Sequence, residues 1–99
     1  MTITKVDEGG VLKLSLEGRL DTGTASQLED ELGISLADHK ELELDFSQLT
    51  YLSSAGLRVL LASQKKMNER KGTMVVENVN DTIMEVFEIT GFTDILTIK

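Results

Sequence analysis

Two adjacent serines, Ser53 and Ser54, are the residues whose type and position best suit chemistry in this sequence. An apolar run ends in FSQLTYL just before them, and an amphipathic helix is predicted to begin just after them. A serine at such a junction can act as a nucleophile, accept a phosphoryl group or cap the helix. The remaining residues have to distinguish among these three roles.

A nucleophilic role for Ser54 lacks the residues that it requires. Ser54-Ala55-Gly56 matches half of the pattern G-x-S-x-G, but Leu52 stands where the first glycine belongs. The only histidine, His39, lies in the connector DHKE and is interpreted as a surface residue. Since nothing places a general base on Ser54, we expect no enzyme activity and no catalytic residue.

Metal and nucleotide sites are also disfavoured. One histidine and no cysteine leave only carboxylates as ligands, and the acidic run at 29–31 is interpreted as a solvated helix face. Neither the Walker lysine pattern nor G-x-G-x-x-G occurs. We therefore expect no metal and no cofactor.

Composition limits the class of protein and its partners. The net charge of -7 and the pI near 4.6 argue against nucleic acid and anionic membranes, which attract cationic surfaces. No apolar stretch approaches the roughly 20 residues of a membrane span, and MTITKVDEGG has no signal-peptide core. With 99 residues of which 40% are hydrophobic, we expect one domain, residues 1–99, in a cytoplasmic monomer.

The basic residues are concentrated in one part of the chain. Five of the ten lysines and arginines lie between residues 58 and 71, with Glu69 as the one acid there. The predicted helix in this region is therefore cationic on an otherwise anionic protein.

Hydrophobic periodicity predicts the order ββαβαβα with a possible final strand. Residues 3–8 and 11–17 flank Gly9-Gly10 as a hairpin, and Gly18 is predicted to end the second strand. A helix through about residue 37 precedes a short strand, Leu42 to Phe46. These patterns predict an α/β fold, a small mixed sheet of four to five strands with the helices packed on one face.

The second half of the chain completes this pattern. A helix from Ala55 to Arg70 is predicted to have Gly72 at its C′ position, and a strand at 73–78 follows. Asn80 or Asp81 is predicted to cap a third helix that Gly91 ends, and 95–98 is the possible last strand.

The outer side of the helix after the serines is a candidate docking surface. With the leucines at 57, 60 and 61 turned inward, the small apolar residues on the other side are expected to be exposed near Ser54. The guanidinium of Arg58, one turn after Ser54, is in position to hold a phosphate there. The predicted partner-binding residues are Ser53, Ser54, Ala55, Gly56, Arg58, Val59 and Ala62.

From the residues alone, capping is the simplest role of the two serines, and it is compatible with phosphorylation. A serine hydroxyl accepts a hydrogen bond from a free N–H of the first helical turn, and the same N–H groups and the helix dipole favour anions. A helix N-terminus that begins with serine is thus a suitable seat for a phosphoryl group.

The stretch LELDFSQLTYLSSAGLRVLL, with LEGRLDTGTA upstream and GF after the third helix, resembles the STAS domain of bacterial anti-sigma factor antagonists. The resemblance covers nearly the whole chain. It implies a domain that binds an anti-sigma factor, itself a serine kinase of the histidine-kinase-like ATPase fold, and so frees the sigma factor. It also implies phosphorylation at the position of Ser54, which ends binding, and removal of the phosphate by a PP2C-type phosphatase.

One position departs from the family pattern. Many members have Asp immediately before the acceptor, whereas this chain has Ser53. STAS domains also occur as interaction subunits of lipid-transport and sensory complexes in which the serine need not be phosphorylated. That role is the alternative function for this chain.

Overall fold

In the computed structural model, which describes residues 1–99, the chain begins with an antiparallel hairpin. Strands β1 (Thr2–Glu8) and β2 (Val11–Leu20) are joined by Gly9 and Gly10, whose φ angles are 57° and 87°. Positive φ at both central residues gives a turn whose twist matches that of the two strands. The predicted hairpin and its turn are therefore confirmed.

The remaining elements form parallel strands with helices between them. They are α1 (Thr22–Ser35), a 3-10 turn (Leu36–Asp38), β3 (Glu41–Leu52), α2 (Ser54–Glu69), β4 (Thr73–Glu77), α3 (Asp81–Thr90), a 3-10 turn (Phe92–Asp94) and β5 (Thr97–Ile98). The sheet order is β1-β2-β3-β4-β5, with β1 antiparallel to β2 and all other pairs parallel. The predicted element order, including the last strand, and the mixed sheet are confirmed.

One face of the sheet carries the core. In β2, Leu12, Leu14 and Leu16 are buried, whereas Lys13 and Ser15 between them are partly exposed, and β3 and β4 alternate in the same way. The buried apolar residues of all three helices join these strand residues in one cluster of 22. The helices therefore pack on a single face, as predicted.

None of the helices has the length and apolar character needed to span a membrane.

Two strands are longer than the sequence pattern predicted. β2 continues through Gly18, which has φ 106°, and β3 continues from the predicted end at Phe46 to Leu52. The two extensions pair with each other, with register shifts after Ser15 and after Gly18. Such register shifts are typical of β-bulges, which interrupt the alternation of buried and exposed residues. For this reason the hydrophobic periodicity did not predict the two extensions. The predicted end of β2 at Gly18 is wrong.

The end of α2 also differs from the prediction. Arg70 is the C-cap, and Lys71, with φ 58°, takes the left-handed position that was predicted for Gly72. Gly72 has another role, since a Cβ there would lie 2.5 Å from the carbonyl oxygen of Lys40. This glycine allows the chain to enter β4 directly against the start of β3. The other two predicted ends of a helix are confirmed: Asn80 caps α3, and Gly91 ends it with φ 79°.

His39 is not a surface connector residue, because its side chain is only 10% exposed and joins two elements. Nδ1 lies 2.7 Å from the carbonyl oxygen of Ser35, and Nε2 lies 2.9 Å from Oδ2 of Asp7 on β1. Both partners only accept hydrogen bonds, so both ring nitrogens donate, which requires the protonated ring. The Ser35 carbonyl and then the Asp7 carboxylate raise the pKa of His39, against the opposing effect of burial, and Asp38 adds to the rise. In its protonated form, His39 joins the edge strand β1 to the end of α1 through both contacts.

This contact predicts a pH-dependent stability. Because the pKa of His39 is raised on folding above its ordinary value of 6.5, its contribution is complete below pH 6.5 and is lost as the pH rises through the folded-state pKa. We expect the free energy of unfolding in urea to fall across that window in the wild type. His39→Gln, which removes the only histidine, is the matched control. Equal pH slopes for the two proteins above pH 6.5 would show that the contact contributes no proton linkage.

Candidate functional site

Ser53 caps α2 and fixes the start of this helix. Its backbone is extended, with φ -98° and ψ 173°, and its hydroxyl oxygen accepts a hydrogen bond from the N–H of Gly56 at 3.4 Å. Its own N–H donates to the carbonyl of Leu20, at the end of β2, over 2.9 Å. Ser53 is half-buried, and both its hydroxyl and its N–H are hydrogen-bonded. Of the two serines for which the sequence predicted capping, Ser53 is therefore the one that caps α2.

Ser54 is the first residue of α2, and its side chain is exposed. Its hydroxyl makes no hydrogen bond within the protein, in contrast to the hydroxyl of Ser53. No acidic side chain lies in the first turn, so nothing there opposes an anion. Free N–H groups and the positive end of the helix dipole favour a phosphate at this place. Ser54 is thus an accessible hydroxyl at a position that stabilises negative charge.

Gly56 sets how closely α2 approaches the sheet. A Cβ at this position would lie 2.7 Å from Cγ of Leu20 and 2.8 Å from Cδ1 of Leu52, the last residues of β2 and β3. Gly56 is buried, and it lets the start of α2 pack closely against the ends of β2 and β3. The sequence placed it among the partner-binding residues, and in the structure it is buried.

The exposed face of α2 is also narrower than predicted. Val59 is 6% exposed, whereas Ala55 is half-buried and Ala62 is exposed. Val59 faces α1, where it lies beside Leu32 and Leu36 at the wall of a cleft between the two helices. The expected exposure of Val59 is wrong because α2 is covered on two sides, by the sheet and by α1. A single helical pattern does not reveal the second of these contacts.

Arg58 lies on the exposed side of α2, one turn after Ser54, as predicted. It takes part in neither of the two ion pairs of the protein, which join Arg19 to Asp21 and His39 to Asp7. Its guanidinium is therefore free to meet an anion bound at the start of the helix.

Arg19 and Tyr51 border the serines and were not among the predicted site residues. The guanidinium carbon of Arg19 lies 4.0 Å from the centre of the Tyr51 ring, and Tyr51 is 41% exposed. These residues are opposite each other in the paired extensions of β2 and β3, one position before the pair Leu20 and Leu52. An exposed aromatic residue just before the serines was the signal for Tyr51, but its pairing with Arg19 depends on the bulged register.

Asp21 caps α1 directly after the end of β2, at the same end of the sheet as the two serines. Burial acts to raise the pKa of this carboxyl, but hydrogen bonds from the side chain and backbone of Thr24 and from the backbone of Gly23 outweigh it and lower the pKa. Asp21 therefore stays ionised. Both α1 and α2 thus begin at the ends of β2 and β3 with a cap residue whose side chain is hydrogen-bonded. Ser54 follows one of these caps, and its own hydroxyl is free.

Comparison with protein families gives one match that spans the chain. The family model described as "Mlab, STAS domain" matches residues 3–97. A relative from Bordetella bronchiseptica, named "Putative anti-sigma factor antagonist BtrV", is 36% identical over 99 residues, which cover 99% of this chain and 84% of the relative.

Solved structures agree with this match. An anti-sigma factor antagonist from Mycobacterium paratuberculosis superimposes with a TM-score of 0.88 and 28% identity, over 98% of this chain and 83% of that one. The Bacillus cell fate determinant SpoIIAA in its phosphorylated form superimposes with a TM-score of 0.78 and 16% identity, over 99% of this chain and 91% of that one. At that identity, the second likeness shows a common fold.

Proposed function

The chain belongs to the STAS domain family, and on that basis we propose that it is an anti-sigma factor antagonist controlled by phosphorylation of Ser54. Its named relatives are anti-sigma factor antagonists, proteins that bind anti-sigma factors. Those relatives are regulatory binding proteins rather than known enzymes. The proposed partner is an anti-sigma factor that is also a serine kinase of the histidine-kinase-like ATPase fold.

The observation that carries the proposal is that the two serine hydroxyls differ in their contacts, since only that of Ser53 is hydrogen-bonded within the protein. Ser53 caps the helix, so Ser54 is left exposed with no partner for its hydroxyl. Ser54 is free to react without loss of the cap that holds α2 in place.

The switch acts through charge. The kinase transfers the γ-phosphoryl group of ATP to the Ser54 oxygen, releasing ADP and the hydroxyl proton, and a PP2C-type phosphatase hydrolyses the resulting ester. The phosphate adds about -1.5 to -2 charges at the start of α2. The helix N-terminus stabilises this charge, so the fold is retained, and a partner docked over Ser54 is repelled or blocked.

The direct test is to map the modification. The purified chain, incubated with ATP and the ATPase-fold anti-sigma factor of its own genome, is expected to carry one phosphate on Ser54 by phosphopeptide mass spectrometry. Absence of both binding and phosphate with every such kinase of the genome would reject the proposal. Phosphate on Ser53 would reject the assignment of the acceptor.

A second candidate function is that of an interaction subunit that is not phosphorylated, in a lipid-transport or sensory complex. It is favoured by Ser53, which stands where many family members have Asp before the acceptor. Gene neighbourhood separates the two: an adjacent ATPase-fold kinase supports the antagonist, and adjacent transport genes support the subunit.

Arg58 is predicted to stabilise the phosphorylated state. It lies one turn after Ser54, is exposed, and has no ion-pair partner within the protein. A bidentate contact of its guanidinium with the phosphate would shield the ester. We therefore expect Arg58→Ala to raise the rate of dephosphorylation by the phosphatase a few-fold. Arg58→Lys, which keeps the charge but not the planar fork, is the control. Unchanged rates of phosphorylation and dephosphorylation in Arg58→Ala would exclude this role.

A further inference from the structure

A cleft between α1 and α2 lies beside the exposed face of α2. The space in it that is open to the centres of water-sized spheres is about 80 Å³, and its apolar lining comes from Leu32 on α1, from Leu36 at the start of the following 3-10 turn, and from Val59 and Ala62 on α2. Gly33 and Lys66 stand at its rim, and Glu29 lies on the α1 side. The cleft continues past Leu36 toward Ala37 and Arg70. It is large enough for an apolar side chain from a partner.

Gly33 is the unexplained residue of this cleft. It lies inside α1, where glycine costs about 1 kcal/mol relative to alanine. It does not have a positive φ, and a Cβ added there would meet no atom within 4 Å. Neither backbone conformation nor packing within the protein therefore requires glycine, in contrast to Gly56 and Gly72. Gly33 lines the cleft, so a side chain at this position would begin in open space beside it.

The α2 side of the cleft is positively charged. Lys66 is exposed, and Arg58 and Lys65 lie exposed on the same helix. None of the three has an ion-pair partner, although the chain as a whole carries a charge of -7. Unpaired cations beside an apolar cleft, on an acidic protein, suit a partner with an apolar side chain next to carboxylates.

We propose that this cleft, defined by Leu32, Gly33, Leu36, Val59, Ala62 and Lys66, receives an apolar side chain of the anti-sigma factor, with acidic residues of that partner against Lys66 and Lys65. The inference rests on the proposed function, for which it names a second contact. Ala62 is eight residues beyond Ser54, about 12 Å along the helix. One interface of ordinary size, about 800 Å² per partner, covers both places. A phosphate on Ser54 then repels the same acidic surface that the lysines attract.

Two substitutions at Gly33 test the cleft. Gly33→Leu fills the cleft with a side chain and replaces glycine by a better helix former, so the fold is expected to be at least as stable as the wild type. Gly33→Ala is the matched control, since it gives a similar gain in helix propensity and adds only one methyl group. With the purified ATPase-fold anti-sigma factor of the same genome, we expect Gly33→Leu to weaken binding at least tenfold and Gly33→Ala less than threefold.

A charge reversal tests the second part of the proposal. Lys66→Glu is expected to lower the association rate at least fivefold at low salt and to reduce its dependence on salt concentration. Lys99→Glu, at the exposed far edge of the sheet, changes the net charge equally and is expected to have little effect. If the wild type binds and Gly33→Leu binds with the same affinity, the inference is overturned while the proposed function stands. The same holds if the wild type binds and the association rates of Lys66→Glu and Lys99→Glu are equal. No binding by the wild type itself rejects the proposed function.

Discussion

Replacement of Ser54 by Asp is expected to weaken binding of the anti-sigma factor more than tenfold without unfolding the domain. The fold is retained because a carboxylate in the first turn of α2 interacts favourably with the helix N-terminus, which has no acid of its own. Binding is lost because the partner would have to bury an uncompensated charge, at a cost of several kcal/mol, and each 1.4 kcal/mol is tenfold in affinity. Titration calorimetry with the purified partner measures the loss, and thermal unfolding verifies the fold.

The controls for this result use the two adjacent hydroxyls. Ser54→Ala is expected to bind like the wild type and to accept no phosphate. Ser53→Ala removes the cap instead, so it should lower the free energy of unfolding by about 0.5–2 kcal/mol and still accept phosphate on Ser54. Equal affinity of the Ala and Asp variants at Ser54 would mean that charge at this position does not control binding.

Gly56→Ala is expected to destabilise the protein by about 1–3 kcal/mol, the usual cost of forcing extra atoms into a packed core. The added Cβ would lie 2.7 Å from Leu20 and 2.8 Å from Leu52, both of which are buried. Either these leucines leave their packed positions or the start of α2 moves away from the sheet. Since Ser53 and Ser54 are carried by that start, we also expect weaker partner binding in the variant that remains folded. Urea unfolding and calorimetry measure the two effects.

Gly23 provides the matched control, because it lies in the first turn of α1 as Gly56 lies in the first turn of α2. A Cβ on Gly23 would have its nearest contact at 3.6 Å, with Oδ1 of Asp21, which is an ordinary distance. Gly23→Ala should therefore be neutral or stabilising by about 0.4–1 kcal/mol. If Gly56→Ala is as stable as Gly23→Ala, close approach is not the reason for glycine at residue 56.

Local patterns determined much of the fold and the centre of the site. The alternation of leucines in β2 predicted which face is buried, and Gly9-Gly10 predicted the hairpin. The serine pair before an amphipathic helix predicted the position of α2 and a serine cap at its start, which Ser53 provides. These features depend on neighbours within a few residues, so the sequence contains the information directly.

Other features depend on residues that are far apart in the chain. Val59 is buried because α1 packs against α2, and Gly56 and Gly72 are required by contacts with Leu20 and the Lys40 carbonyl. The periodicity of one helix shows that it has an apolar side but not how many neighbours cover it. Only the tertiary structure decided these contacts.

His39 is the clearest case of this difference. Its sequence neighbours, Asp38 and Lys40, are typical of a solvated connector. Its partner Asp7 is 32 residues away, on a strand that reaches the end of α1 only because β1 pairs along the edge of β2. The sequence by itself determined the elements, the hairpin turn and the serine junction, because each is specified by local backbone preferences and side-chain spacing. The tertiary structure decided which side chains are paired, buried or free, because those properties depend on what other elements bring within a few ångströms.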